Sequence, residues 1–104
     1  MSSESEKKKR AFRASKKWKT FRHDMNVACG GKDPITGKKL TKGFELHHYD
    51  LREENYQILE PDRFACLNSM THKCVHWLYQ YYKKDKSVIG RLADILDRMT
   101  EINK

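Results

Sequence analysis

The sequence predicts an α+β fold, and three observations carry that prediction. Residues 5–28 run without Pro or Gly and stop at Gly30-Gly31, the pattern of a helix closed by glycine. Two short apolar runs, within 42–49 and at 64–67, have strand length and are bounded by turn and loop residues. After Ser69 the chain returns twice to helical patterning. The expected order is basic helix, turn, strand, loop, strand, helix, helix: a small hairpin with one helix packed across it and two more flanking it.

Taken in order, residues 1–6 read as a frayed end. In the basic helix that follows, Phe12, Trp18, Phe21, Met25 and Cys29 recur three to six residues apart, a ragged but mostly helical stripe. Arg10, Arg13, Lys16, Lys17, Lys19 and Arg22 fill the other faces, and His23, with no partner cluster, reads as a surface or phosphate-facing residue. Asp33-Pro34-Ile35-Thr36-Gly37 is a turn, since Pro34 sets φ and Gly37 permits a positive one. A strand is expected within 42–49, a loop over 50–55, a short extended piece at 56–59 broken by Pro61, and a second strand at 64–67. Ser69 is a good N-cap for a helix running to about residue 84, with lysines at the end that the helix dipole favours for cations. Its aromatics Trp77, Tyr79, Tyr81 and Tyr82, with Leu78, are expected in core and interface rather than as stacking surfaces for bases. The last helix, after Ser87, has an apolar face of Val88, Leu92, Ile95, Leu96, Met99 and Ile102 that serves as core or as a homodimer interface. One domain, 1–104, is expected, divided into a basic N-terminal helix (1–31), a core (32–84) and a C-terminal helix (85–104).

Charge is segregated. Residues 1–42 hold 13 Lys/Arg against 4 Asp/Glu, whereas residues 43–104 hold 9 against 10. A charge serving solubility alone would spread over the chain; this one suits an anionic polymer, because each cation that neutralises a phosphate releases counterions. Three cysteines without a CxxC pair argue against a disulfide framework and against a four-cysteine zinc site; Cys66 and Cys74 are expected as small buried residues. With no run near the ~18 apolar residues of a membrane span and no signal-peptide pattern, the chain is expected to stay in the cytoplasm, the host's if phage-encoded.

The chemistry concentrates in four of the five histidines: His47 and His48 side by side, then His72 and His76 four apart. On a helix, residues four apart share a face and can present two nitrogens to one cation. On a strand, neighbours point to opposite faces, so only one of His47 and His48 is expected to join them while the other takes a different role. Three ligands and one base, with coordination positions left open, is the arrangement of a catalytic metal site.

These motifs, in their order and with His72 24 positions after His48, resemble the HNH nucleases with a ββα-metal (His-Me finger) core, most closely the colicin-nuclease variant. The segment Pro34-Ile35-Thr36-Gly37-Lys38-Lys39-Leu40 is similar to the turn that opens phage-type domains of that family, where cysteines often stand at positions such as Asp33 and Thr36. The resemblance covers about 45 of 104 residues. It implies a DNA endonuclease using one divalent ion (Mg, Mn, Ni or Zn), with His47, His72 and His76 as ligands and His48 as general base. It also implies products carrying 5′ phosphate and 3′ hydroxyl. The family's asparagine, which braces the loop carrying the base, is replaced by Arg63; Arg63 could brace that loop or contact a phosphate, and Asn55 or Asn68 could substitute. Arg52, together with the six basic residues of the first helix, is expected on the DNA backbone. Two alternatives stay open: a non-catalytic zinc-stabilised DNA-binding module, and an accessory subunit of a phage packaging or recombination complex.

Overall fold

The structure, a computed structural model, describes residues 3–82 and 85–104. Its elements are helices α1 (Glu4–Ala14), α2 (Lys16–Ala28), α3 (Ser69–Tyr82) and α4 (Ser87–Ile102), and strands β1 (Glu45–His48) and β2 (Phe64–Leu67). Two 3₁₀ turns, Glu53–Asn55 and Pro61–Arg63, lie between the strands. The α+β class is as expected. The residues group into two compact units, Met1–His72 and Lys73–Lys104.

The single basic helix expected over 5–28 is two helices. Ser15 leaves helical geometry (φ −72°, ψ 153°) and closes α1 while opening α2. Its hydroxyl donates to Phe12 O at 2.5 Å and accepts from Trp18 N at 3.2 Å. Serine competes well for backbone partners in this way, which suits it to caps. The break also explains the ragged stripe. Six residues apart on a continuous helix, Phe12 and Trp18 would diverge by about 120°; across the break their rings meet at 5.5 Å. The start of the chain differs too: Ser3 accepts from Glu6 N at 3.1 Å, so residues 4–6 are helical rather than frayed.

The turn after α2 is anchored by Asp33, which is fully buried. Its Oδ1 accepts from Ile35 N (2.8 Å) and Thr36 N (3.2 Å), an Asx turn, and its Oδ2 accepts from Asn68 N (3.0 Å) at the entry to α3. Gly37, at φ 72°, lets the chain double back so that Asp33 N reaches Lys38 O at 2.9 Å. Asn68 completes the junction by donating to Lys39 O and accepting from Thr41 N. One buried carboxylate thus fixes the turn against the start of α3.

β1 and β2 pair antiparallel with Leu46 opposite Cys66 and His48 opposite Phe64. β1 is shorter than the predicted 42–49, because Lys42 and Phe44 are held by turn and side-chain bonds instead. The apolar face of the sheet and α2 enclose the core: Trp18, Met25, Leu40, Phe44, Leu46, Phe64 and Cys66. Burial, and then the neighbouring Cys29 thiol 2.7 Å away, push the Cys66 thiol up to about 12, leaving it protonated and unreactive. Cys74 is exposed, contrary to expectation.

The aromatics of α3 also depart from expectation. Trp77 and Tyr81 are 61% and 64% exposed, and Tyr79 is exposed as well. Thr71, Val75, Leu78 and Tyr82, spaced by three and four, form the helix's buried and half-buried strip. Trp77 and Tyr81 fall about 100° from Leu78 and Tyr82 respectively, so the strip excludes them. The lysines expected at the helix end, residues 83 and 84, lie outside the described residues. In α4 the apolar face forms as a helix, with Ile95, Leu96, Met99 and Ile102 exposed. No described helix is long and apolar enough to cross a membrane.

Candidate metal centre

Strand alternation sorts β1 into two faces. Leu46 and His48 point into the aromatic core, and Glu45 and His47 point to the other side. There His47, 9% exposed with Nδ1 buried, meets the first two turns of α3. The rings of His47 and His72 lie 5.2 Å apart, edge to face. One ring nitrogen from each of His47, His72 and His76 lies within 4.8 Å of the others. A tetrahedral ion with metal–nitrogen bonds of about 2.0–2.1 Å holds its donors about 3.3–3.5 Å apart. The three nitrogens are thus close enough for one divalent ion to be held between them. Three neutral imidazoles favour Zn or Ni over Mg, which prefers oxygen.

Glu45 was not among the predicted site residues. Its Oε2 accepts from His72 Nδ1 at 2.5 Å. A carboxylate can only accept, so Nδ1 carries a proton and Nε2 is the nitrogen of this ring suited to a metal. Carboxylates behind ligand histidines orient the ring and raise its basicity. The sequence did hold the signal: Glu45 is two residues before His47 and therefore on the same strand face.

His48 occupies the opposite face. Its ring stacks on Tyr56 (4.4 Å, 14°), lies parallel to Trp18 at 6.1 Å and receives the edge of Phe64 at 4.6 Å. Nε2 lies 3.2 Å from Tyr56 O. Because a carbonyl cannot donate, Nε2 carries the proton of the neutral ring, and Nδ1 is the nitrogen with a lone pair to offer. Burial lowers the His48 pKa below the ordinary imidazole value; the carbonyl bond raises it, and the positive charge of Lys9 lowers it further. The net shift favours the neutral ring.

The loop that supplies Tyr56 O is tied at Asp50. Its carboxylate accepts from Arg52 (two bonds of 2.9 Å), Asn55 Nδ2 (2.8 Å) and Arg63 Nη1 (3.3 Å), and Tyr49 N donates to Arg63 O at 3.0 Å. Arg63 also faces Glu60 at 3.6 Å. Of the roles open to Arg63, bracing the loop is the one its contacts match, alongside Asn55. Asn68 is spent on the turn near Lys39. Hydrogen bonding to Arg52 holds the Asp50 carboxyl well below the usual range.

The basic residues separate into two groups. Arg10, Arg13, Lys16, Lys17 and Lys19 are exposed on α1 and α2, as is His23. Arg22 is not a plain surface cation: it donates to Phe44 O (2.6 Å) and Lys42 O (2.9 Å) and lies 3.8 Å over the Phe44 ring. Arg52 is exposed but bound to Asp50. A cavity of about 230 Å³ between α1 and the loop is lined by Lys8 and Lys9 against Glu53 and Glu54. Its charges offset one another, and Lys9 pairs with Glu53 at 2.9 Å. Compared with protein-family models, curated proteins and solved structures, the chain matches none.

Proposed function

We propose that the protein is a divalent-metal-dependent endonuclease of the HNH kind, hydrolysing phosphodiester bonds in DNA. One observation carries the reading: imidazoles from a strand and from a helix 25 residues further on come together, while the histidine next to the strand ligand is held apart on the other strand face. A structural site would gain nothing from that fourth ring, whereas hydrolysis needs a base that the metal does not consume.

His47, His72 and His76 hold the ion, with Glu45 fixing the His72 ring. The bound ion, whether Mg, Mn, Ni or Zn, would supply Lewis-acid stabilisation of charge on the phosphoryl and leaving 3′ oxygens. His48 takes the proton of the attacking water on Nδ1, since Nε2 is occupied by Tyr56 O. The Asp50–Asn55–Arg63 brace keeps that carbonyl in place. Arg10, Arg13, Lys16, Lys17 and Lys19 bind the backbone through phosphate contacts, which position DNA without reading sequence. Arg22 and Arg52, engaged within the chain, are left out of that set. The test is supercoiled plasmid incubated with the protein and each of the four metals, with and without chelator. Metal-dependent nicking or linearisation supports the reading, and intact plasmid in all four sinks it.

A second reading has its own observation. Trp18 and Tyr56 both lie near-parallel to the His48 ring, a packing that also suits a purely structural histidine. On that reading the trio holds a structural zinc in a DNA-binding module or an accessory subunit of a phage complex. Chelation separates the two: removing a structural zinc unfolds the domain, and removing a catalytic ion leaves the fold intact.

A further inference from the structure

We infer that Trp77 and Tyr81 form a stacking platform for an unpaired nucleobase, which makes single-stranded or locally opened nucleic acid a preferred ligand. The inference rests on the proposed action on nucleic acid and adds the form of the substrate.

The two rings lie one turn apart on α3, 5.0 Å between centroids and 11° from parallel. More than half of each residue remains exposed. Burying a large aromatic side chain is favourable, and leaving two such rings together in water is uncommon without a partner. Stacking the rings on each other satisfies one face of each and presents the outer faces as a flat, preordered surface.

Charge argues for the occupant. All 14 residues of α3 are free of Asp and Glu. Lys73, exposed, lies about 40° from Trp77 around the helix. An aromatic shelf beside an exposed lysine, on a helix without carboxylates, suits a polyanion that carries flat rings. Within duplex DNA the base faces are already stacked, so only an unpaired base can use the shelf. His76 immediately precedes Trp77, so the metal-ligand edge and the shelf are neighbouring strips of one helix.

The test is binding of a short oligo-thymidine strand, with the matched duplex as comparison, in chelator so that cleavage plays no part. Tryptophan emission should be quenched by the single strand in the wild type and not in Trp77→Phe, which leaves only the buried Trp18 to report. Trp77→Ala should weaken single-strand affinity by about 5–100-fold while duplex affinity moves less than about twofold, and Trp77→Phe should recover most of the loss. Circular dichroism confirms that the variants fold. Unchanged single-strand affinity in Trp77→Ala overturns the inference. So does a concentration-dependent blue shift of Trp77 emission without nucleic acid, which would mean that a second copy covers the shelf. Plasmid cleavage with no effect of Trp77→Ala on single-strand binding would remove the platform and keep the nuclease; quenching without cleavage in any metal would do the reverse.

Discussion

The two faces of β1 start from the same residue type and put it to opposite uses. On one face His47 stands beside His72, which hydrogen-bonds Glu45, among groups close enough to share a cation. On the other, His48 is wrapped by Trp18, Tyr56 and Phe64, with one nitrogen tied to a backbone carbonyl. One residue step along a strand reverses the side chain, so a double histidine cannot be a doubled ligand in regular β geometry. What distinguishes the two rings is their surroundings, and each can be broken separately.

The largest effect is expected on the His48 face. His48→Ala should lower plasmid cleavage by about two to four orders of magnitude, the usual contribution of a general base. Metal affinity, measured by calorimetry, should stay near wild type. His47→Ala should do the converse, losing metal affinity first and cleavage as a consequence. Because His48 also packs against aromatic rings, His48→Gln serves as a second variant that retains bulk. A fully active, folded His48→Gln would remove His48 as the base and leave it a packing residue.

Next comes the scaffold that both faces share. Asp33→Ala removes the acceptor for Ile35, Thr36 and Asn68 and should cost on the order of 2–4 kcal/mol, because buried donors lose their partner. Burial raises the Asp33 pKa, but hydrogen bonds from Asn68, Thr71, Ile35 and Thr36 outweigh it, and the net shift is downward. A carboxylate with a lowered folded pKa contributes stability above its unfolded pKa and loses it as pH falls through the folded value. Denaturant unfolding should therefore weaken in acid for the wild type, with a shallower slope for Asp33→Asn; parallel curves would refute this anchoring role.

Glu45→Gln tests the metal face more gently. The amide keeps the shape but not the charge, and metal affinity should fall about 10–100-fold, as for other outer-shell partners of ligand histidines. An unchanged affinity would show that His72 needs no partner to set its tautomer.

How much of this was legible in the sequence follows from how local each determinant is. The class, the second strand at 64–67 and the last helix were readable because period and bounding residues are local signals. His47 and His48 on opposite faces followed from strand alternation, and the His72–His76 pair from helical spacing. The break at Ser15 was missed because one capping serine in a Gly- and Pro-free run looks like surface polarity until Phe12 and Trp18 must meet. Glu45 was readable by the same alternation that separated the histidines, yet its partner is 27 residues away. The exposure of Trp77 and Tyr81 could not be read, since an aromatic at helical spacing looks the same whether or not something covers it.

The smallest effects should come from the arginines around Asp50, and they rank by how far inside the loop each sits. Arg63 is half-buried, joins Asp50 to Glu60 and hydrogen-bonds through its backbone to Tyr49, so its loss loosens the segment that carries Tyr56 O. Arg63→Ala should slow cleavage about tenfold without moving metal affinity, because it acts on the His48 face alone. Arg52 makes the shorter bonds, but its side chain is 68% exposed, and solvent-exposed ion pairs contribute little. Arg52→Ala should leave both cleavage and the salt dependence of DNA binding within error. A salt slope reduced by about one would return Arg52 to the phosphate contacts, and an Arg52 effect larger than that of Arg63 would mean that the loop is held from its outer side.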